Sequence, residues 1–158
     1  MTASDPNPGG SITKYTWSVS GPSGVTFSSS NGTSTGNNAT ATFTQTGTYT
    51  FTVTVTDSYG LTSTSTVKLV VGQVLTSITV SPSSATVRDG TTQQFTASAL
   101  DQFNQAMNVP ISWKIVSGSG SISSTGLYTA PSRGNGTVTI EAFDGSVFGT
   151  ATITLKKH

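Results

Sequence analysis

Tyr49-Thr50-Phe51-Thr52-Val53-Thr54-Val55-Thr56 alternates without a break. Successive side chains of a β-strand point to opposite sides, so Tyr49, Phe51, Val53 and Val55 share one face and the four threonines share the other. One face is suited to burial and the other to water, the pattern of an antiparallel sheet covered on one side. The run stops at Asp57-Ser58-Tyr59-Gly60, a turn signal, and a new strand follows through Val67, Leu69 and Val71.

The same pattern recurs outward from this stretch. Ile78 and Val80 alternate before Ser81-Pro82, and Phe95, Ala97 and Ala99 follow. Ile111, Trp113 and Ile115 form a further set, then Val138, Ile140 and Ala142, and Ala151, Ile153 and Leu155 close the chain. Short strands punctuated by Gly, Pro, Asn and Asp predict an all-β chain of two tandem immunoglobulin-like β-sandwiches. The halves meet near Gly72–Leu75, a junction too short for a floppy linker, which gives modules at 1–72 and 75–158. Each half carries one Trp inside a strand. Trp17 and Trp113 are expected in the cores, together with Tyr49 and Tyr128.

Composition agrees and excludes much. Hydrophobic residues are 33% of the 158, yet the net charge is only +1 and 8% of residues are charged, so the combination that marks a disordered chain is absent. Thr and Val favour strands, and strong helix formers are sparse. Near-neutral charge with scattered cations, apart from Lys156 and Lys157, argues against nucleic acid as a partner. No apolar run reaches the roughly 18–20 residues that span a bilayer. The N-terminal ten residues are polar and do not read as a signal peptide, so an exported protein would carry its signal elsewhere. Cysteine is absent, so no disulfide braces either sandwich.

Two resemblances extend this reading. Ser4-Asp5-Pro6-Asn7, then Ser11-Ile12-Thr13-Lys14-Tyr15-Thr16-Trp17, then Gly47-Thr48-Tyr49 running to Val55-Thr56-Asp57, resemble the PKD family of Ig-like domains over residues 3–71 or so. The resemblance implies a loop, a Trp-bearing strand, and a penultimate strand with a tyrosine corner. Ile78-Thr79-Val80-Ser81-Pro82, Gly90 to Ala97, Ile111-Ser112-Trp113, Gly126 to Pro131 and Gly136 to Ile140 resemble the bacterial Ig-like group 2 family over residues 75–155. Both families resemble spacers and adhesive modules of exported proteins, and neither is an enzyme family.

The first resemblance departs from its pattern at the start, where PKD-like modules have one or two strands before the Asp-Pro loop. A sandwich without them exposes backbone edges and apolar core. Three origins fit: an excised fragment, a strand swapped with a second copy, or a strand given by a partner.

Asp5, Asn7 and Asp57 are the best candidate site. In an Ig-like sandwich the loops that hold them lie at the same end, and converging oxygen ligands suit Ca²⁺, which takes roughly 6–8 oxygens. The resemblance implies the same, since some PKD-like domains bind calcium there. The bland alternative is that all three make Asx-turns. No cofactor is required on either reading.

Catalytic groups are scarce. The sole histidine, His158, is terminal; there is no thiol; and Glu141 is the only Glu among six acids. Lys14 and Lys114, candidates for isopeptide crosslinks, fall on the face opposite the Trp of their strands. Tyr59, Phe103, Tyr128, Phe143 and Phe148 lie in or near turns, where aligned rings would make a sugar platform. Asn31, Asn38 and Asn135 begin N-glycosylation triplets of the kind that a Thr-rich chain produces by chance.

The expectation is a non-enzymatic extracellular structural or adhesion module of a bacterial surface or secreted protein. It would act as spacer or assembly subunit with protein partners or further copies of itself, and with room for a strand donated in trans. The alternative is an accessory carbohydrate-binding module of a secreted polysaccharide-degrading enzyme.

Overall fold

A computed structural model describes residues 3–157; Met1, Thr2 and His158 lie outside the described residues. The chain is all-β and divides into two compact units at Gly72/Gln73.

The first unit contains β1 (Ile12–Ser20), β2 (Val25–Phe27), β3 (Ala41–Phe43), β4 (Gly47–Asp57) and β5 (Thr62–Val71). β1, β4 and β5 form an antiparallel sheet in the order β1-β4-β5, and β2 and β3 form a separate hairpin. The register sets Trp17 beside Val53 and Tyr15 beside Val55, so the alternation of β4 is matched across the sheet. Tyr49, Phe51, Val53 and Val55 are all buried. The hairpin covers one end of this face edge-on: Phe43 lies 5.0 Å from Tyr49 and 6.0 Å from Phe51, and Phe27 lies 6.0 Å from Phe51. The Tyr49 hydroxyl donates to the Gln45 carbonyl at 2.8 Å, closing the corner before β4.

The second unit contains β6 (Leu75–Ser81), β7 (Ser84–Arg88), β8 (Thr92–Gln94), β9 (Thr96–Asp101), β10 (Ala106–Met107), β11 (Ser112–Ser117), β12 (Ser121–Ile122), β13 (Leu127–Thr129), β14 (Gly136–Asp144) and β15 (Val147–Lys156). One sheet runs β11-β14-β15-β7, with β7 parallel to β15. Opposite it lie β10-β9-β6 and β12-β13-β8. Val138, Ile140, Ala151, Ile153 and Leu155 face Ile78, Val80, Phe95 and Tyr128 in one continuous core. A Cβ on Gly149 would collide with the Ile78 carbonyl, so β6 crosses directly over β15.

The two Trp residues are only partly buried and pack at the margins of the cores. Trp17 keeps its indole N–H on the Gly36 carbonyl at 2.8 Å, which holds the ring under the 3₁₀ turn Gly36–Asn38 instead of at the centre.

Candidate functional site

One turn is built three times and fixes what Asp57 does. Asp57 Oδ1 accepts the N–H groups of Tyr59 and Leu61; Asp101 Oδ1 accepts those of Phe103 and Gln105; Ser123 Oγ accepts those of Thr125 and Leu127. In each turn the first residue's N–H also donates to the carbonyl four residues on. The fourth position is left-handed: Gly60, Asn104 and Gly126 have φ of 83°, 59° and 81°. Asp57 is therefore an Asx-turn residue with one carboxylate oxygen engaged.

The Asp5 loop is tied to this turn. Ser58 N–H donates to the Ser11 carbonyl at 2.9 Å, and Ser11 N–H donates to Ser58 Oγ at 3.3 Å. Asp5 Oδ1 accepts the Asn7 N–H at 2.9 Å, whereas Asp5 Oδ2 is covered and has no hydrogen-bond partner. The cover is Gly10, where any Cβ would collide with this carboxylate. Asp5, Asn7 and Asp57 thus come together in the lining of a cleft of about 370 Å³ that Ile12, Val55 and Leu61 also line. Among the described residues no three acidic or histidine side chains gather as a metal cluster; this cleft has the Asp5 and Asp57 carboxylates and the Asn7 amide, with Ser and Thr hydroxyls beside them.

The cleft opens onto an unfinished edge. Trp17, Val53 and Ser65 lie side by side on β1, β4 and β5, as Trp113, Ala142 and Gly149 do on β11, β14 and β15. Continuing both registers makes Val67 the counterpart of Ala151, and Leu69 that of Ile153. Ala151 and Ile153 are 2% and 0% exposed; Val67 and Leu69 are 55% and 43% exposed. In the second unit β6 crosses this face and β7 pairs with the outer edge. Among the described residues of the first unit, β5 has no strand on its outer edge. Alternation places Val67 and Leu69 on the inner face, yet among the described residues each is left about half exposed there.

The remaining candidates do not converge. Lys14 is exposed, and Lys114 pairs with Glu141 at 2.7 Å while lying 4.7 Å from the Phe143 ring centre. Tyr128 is fully buried, its hydroxyl on the Ser119 carbonyl, and burial raises its pKa. Among the described residues Tyr59 and Phe148 are the well-exposed rings, one in each unit, and Phe103 and Phe143 are half-buried. The Asn31 amide is engaged at both ends, accepting from Trp17 N–H and donating to the Trp17 carbonyl. Asp101, which sequence reading passed over, is the one fully buried acid among the described residues. Burial pushes its carboxyl up, but donors from Gln105, Phe103 and Gln73 outweigh that and leave the pKa lowered.

Residues 1–71 match the K319L-like, PKD domain, and residues 74–155 match the bacterial Ig-like domain (group 2). No curated protein sequence matches the chain. Among solved structures, the surface layer protein SbsC, domains 1–6, is 19% identical with a TM-score of 0.51, over 92% of this chain and 20% of that one. Protocadherin Gamma B2 extracellular cadherin domains 1–5 are 15% identical with a TM-score of 0.52, over 94% of this chain and 33% of that one. The chain spans a third or less of either structure, and at these identities the likeness is one of fold. By its second module the chain belongs to the bacterial Ig-like domain (group 2) family, with a K319L-like PKD domain preceding it.

Proposed function

We propose that the chain is a non-catalytic structural and adhesion module of an extracellular or surface assembly, a spacer or assembly subunit whose first module is completed by an extended strand from a neighbouring polypeptide. The observation that carries this is the exposure of Val67 and Leu69 at positions where the second module buries Ala151 and Ile153. Burying the exposed part of two such side chains is worth about 1 kcal/mol each, and an open strand edge offers a row of backbone hydrogen bonds besides. The names of the similar structures, a surface layer protein and extracellular cadherin domains, are in keeping with this role. No helix among the described residues is long and apolar enough to cross a membrane.

The test is molar mass by light scattering across concentrations, together with thermal melts in the presence of an uncharged peptide of alternating Val and Thr. The expected result is a peptide-dependent rise in the melting temperature of the first module, abolished by Leu69→Lys. A monomer at every concentration, with no shift at saturating peptide, would refute strand acceptance.

A second reading rests on Asp5 Oδ2, a covered carboxylate oxygen without a partner in the cleft lining. Asp5, Asn7 and the second oxygen of Asp57 would hold Ca²⁺, whose charge would compensate the two carboxylates. Three protein ligands supply half or less of its shell, so the affinity belongs with the weak extracellular class, on the order of 10⁻⁴–10⁻³ M.

A further inference from the structure

The cations read as scattered in the sequence are gathered by the fold. Lys156 pairs with Arg88 in the parallel ladder of β15 and β7. Val87 and Leu155 point into the core, so the next residues, Arg88 and Lys156, point outward on neighbouring strands about 4.8 Å apart. The chain then turns at Asp89, whose N–H donates to the Lys156 carbonyl at 3.0 Å. Asp89 Oδ1 accepts the Gly134 N–H at 2.9 Å, which draws the Ser132–Asn135 loop to the same end. Gly134 packs closely there, since a Cβ would meet the Leu155 and Pro131 side chains at 2.9 and 3.0 Å.

An open cleft of about 600 Å³ results, lined by Asp89, Ser132, Arg133, Gly134, Asn135 and Lys157, with Arg88 and Lys156 beside it. Arg88, Arg133, Lys156 and Lys157 are all exposed, and they are four of the chain's seven cations. Among the described residues the one ion pair is Lys114–Glu141, so none of the four is neutralised by a salt bridge there. The single acid at the cleft has an oxygen already committed to Gly134. Arg88 and Lys156 sit on paired strands, closer than the roughly 8 Å screening length at physiological salt, so their fields add beside the cleft that Arg133 and Lys157 line.

The lining decides which polyanion fits. It carries no aromatic ring on which a nucleobase would stack and no apolar side chain to enter a bilayer. It offers an Arg fork for carboxylate or sulfate, a Lys charge, and the Ser132 hydroxyl and Asn135 amide for sugar hydroxyls. We infer that this end of the second module binds an acidic polysaccharide. The surface is independent of the strand-accepting edge of the first module.

The test uses the whole chain and polygalacturonate at low salt, with affinity electrophoresis and calorimetry as readouts. Polygalacturonate is expected to retard the protein, a neutral glucan is not, and 0.5 M NaCl abolishes the effect. The double variant Arg133→Gln/Lys157→Gln should weaken binding at least tenfold with an unchanged melting temperature, because both side chains are exposed. Lys114→Gln, which removes a cation elsewhere, should leave binding intact. No retardation by polygalacturonate would overturn the inference. So would equal losses in the double variant and Lys114→Gln, or duplex DNA or phosphatidylglycerol vesicles bound as tightly as the polysaccharide.

Discussion

The two modules share a strand register but differ in what lies over it. Val53 and Ala142 sit beside a Trp, Gly47 and Gly136 open the two equivalent strands, and Asp57 and Asp101 close turns of one design. Yet in the second module β6 crosses the β15 face and β7 pairs with its outer edge, while among the described residues the first has only the β2–β3 hairpin over one end of its sheet. Alternation decides which way a side chain faces, whereas burial depends on a second layer.

The largest expected contrast lies at the equivalent pair Ile153 and Leu69. Ile153→Ala removes a fully buried side chain and should cost about 2–5 kcal/mol. Leu69→Ala removes one that already meets solvent and should cost less than about 1 kcal/mol. Guanidinium unfolding in Trp17→Phe and Trp113→Phe backgrounds would let the remaining Trp report on its own module. Equal losses at the two positions would mean that Leu69 is covered in solution, and the contrast between the modules would collapse.

The shared turn gives a finer contrast. Gly60 and Gly126 hold the same left-handed position, where a Cβ costs about 1–2 kcal/mol by itself. At Gly60 an added Cβ meets nothing within 4 Å, but at Gly126 it meets the Phe95 carbonyl at 2.5 Å and the Trp113 ring at 2.9 Å. Gly60→Ala should therefore cost about 1 kcal/mol and Gly126→Ala about 2–4 kcal/mol. Gly60→Asn should be milder than Gly60→Ala, because Asn104 already fills that place in the third turn. Thermal melts of the three variants would show whether the turns are as alike in energy as they are in hydrogen bonding.

Sequence reading reached as far as local pattern allows. The faces of β4 followed from period two, and the Asp57 turn followed from Asx chemistry. The exposure of Val67 and Leu69 did not, because their alternation is identical to that of a covered strand. Nor did the cationic cleft: Arg88 meets Lys156 only through a parallel register across 68 positions of chain, and Arg133 arrives only because Asp89 binds the Gly134 backbone. Loop convergence of Asp5 and Asp57 was foreseeable from the sandwich, but the covered, unpartnered Oδ2 depends on Gly10 packing against it.

Acid should separate the modules next. The Asp101 carboxyl has a lowered pKa in the fold, below the roughly 3.9 of an unfolded chain. Between the two values the unfolded state takes up the proton more readily, so stability rises with pH there. The contribution is complete above about pH 4 and is lost as pH falls through the folded value. The second module's melting temperature should fall on that acid limb, and Asp101→Asn should flatten the fall. An unchanged slope in Asp101→Asn would assign the acid sensitivity to other groups.

Calcium should give the smallest effect and act on the other module. At tenfold excess over its dissociation constant, a ligand bound only by the folded state adds about 1.4 kcal/mol. Only the first module should gain, because Asp5, Asn7 and Asp57 all belong to it. Asp57→Asn is the informative variant: an amide oxygen still accepts the Tyr59 and Leu61 N–H groups, so the turn survives while the charge is lost. Asp57→Asn and Asp5→Asn should each leave the calcium-free melt nearly unchanged and remove the calcium-dependent rise. If both modules rise together, or if the rise survives in both variants, the ion acts through general surface charge, and the covered Asp5 oxygen belongs to the loop alone.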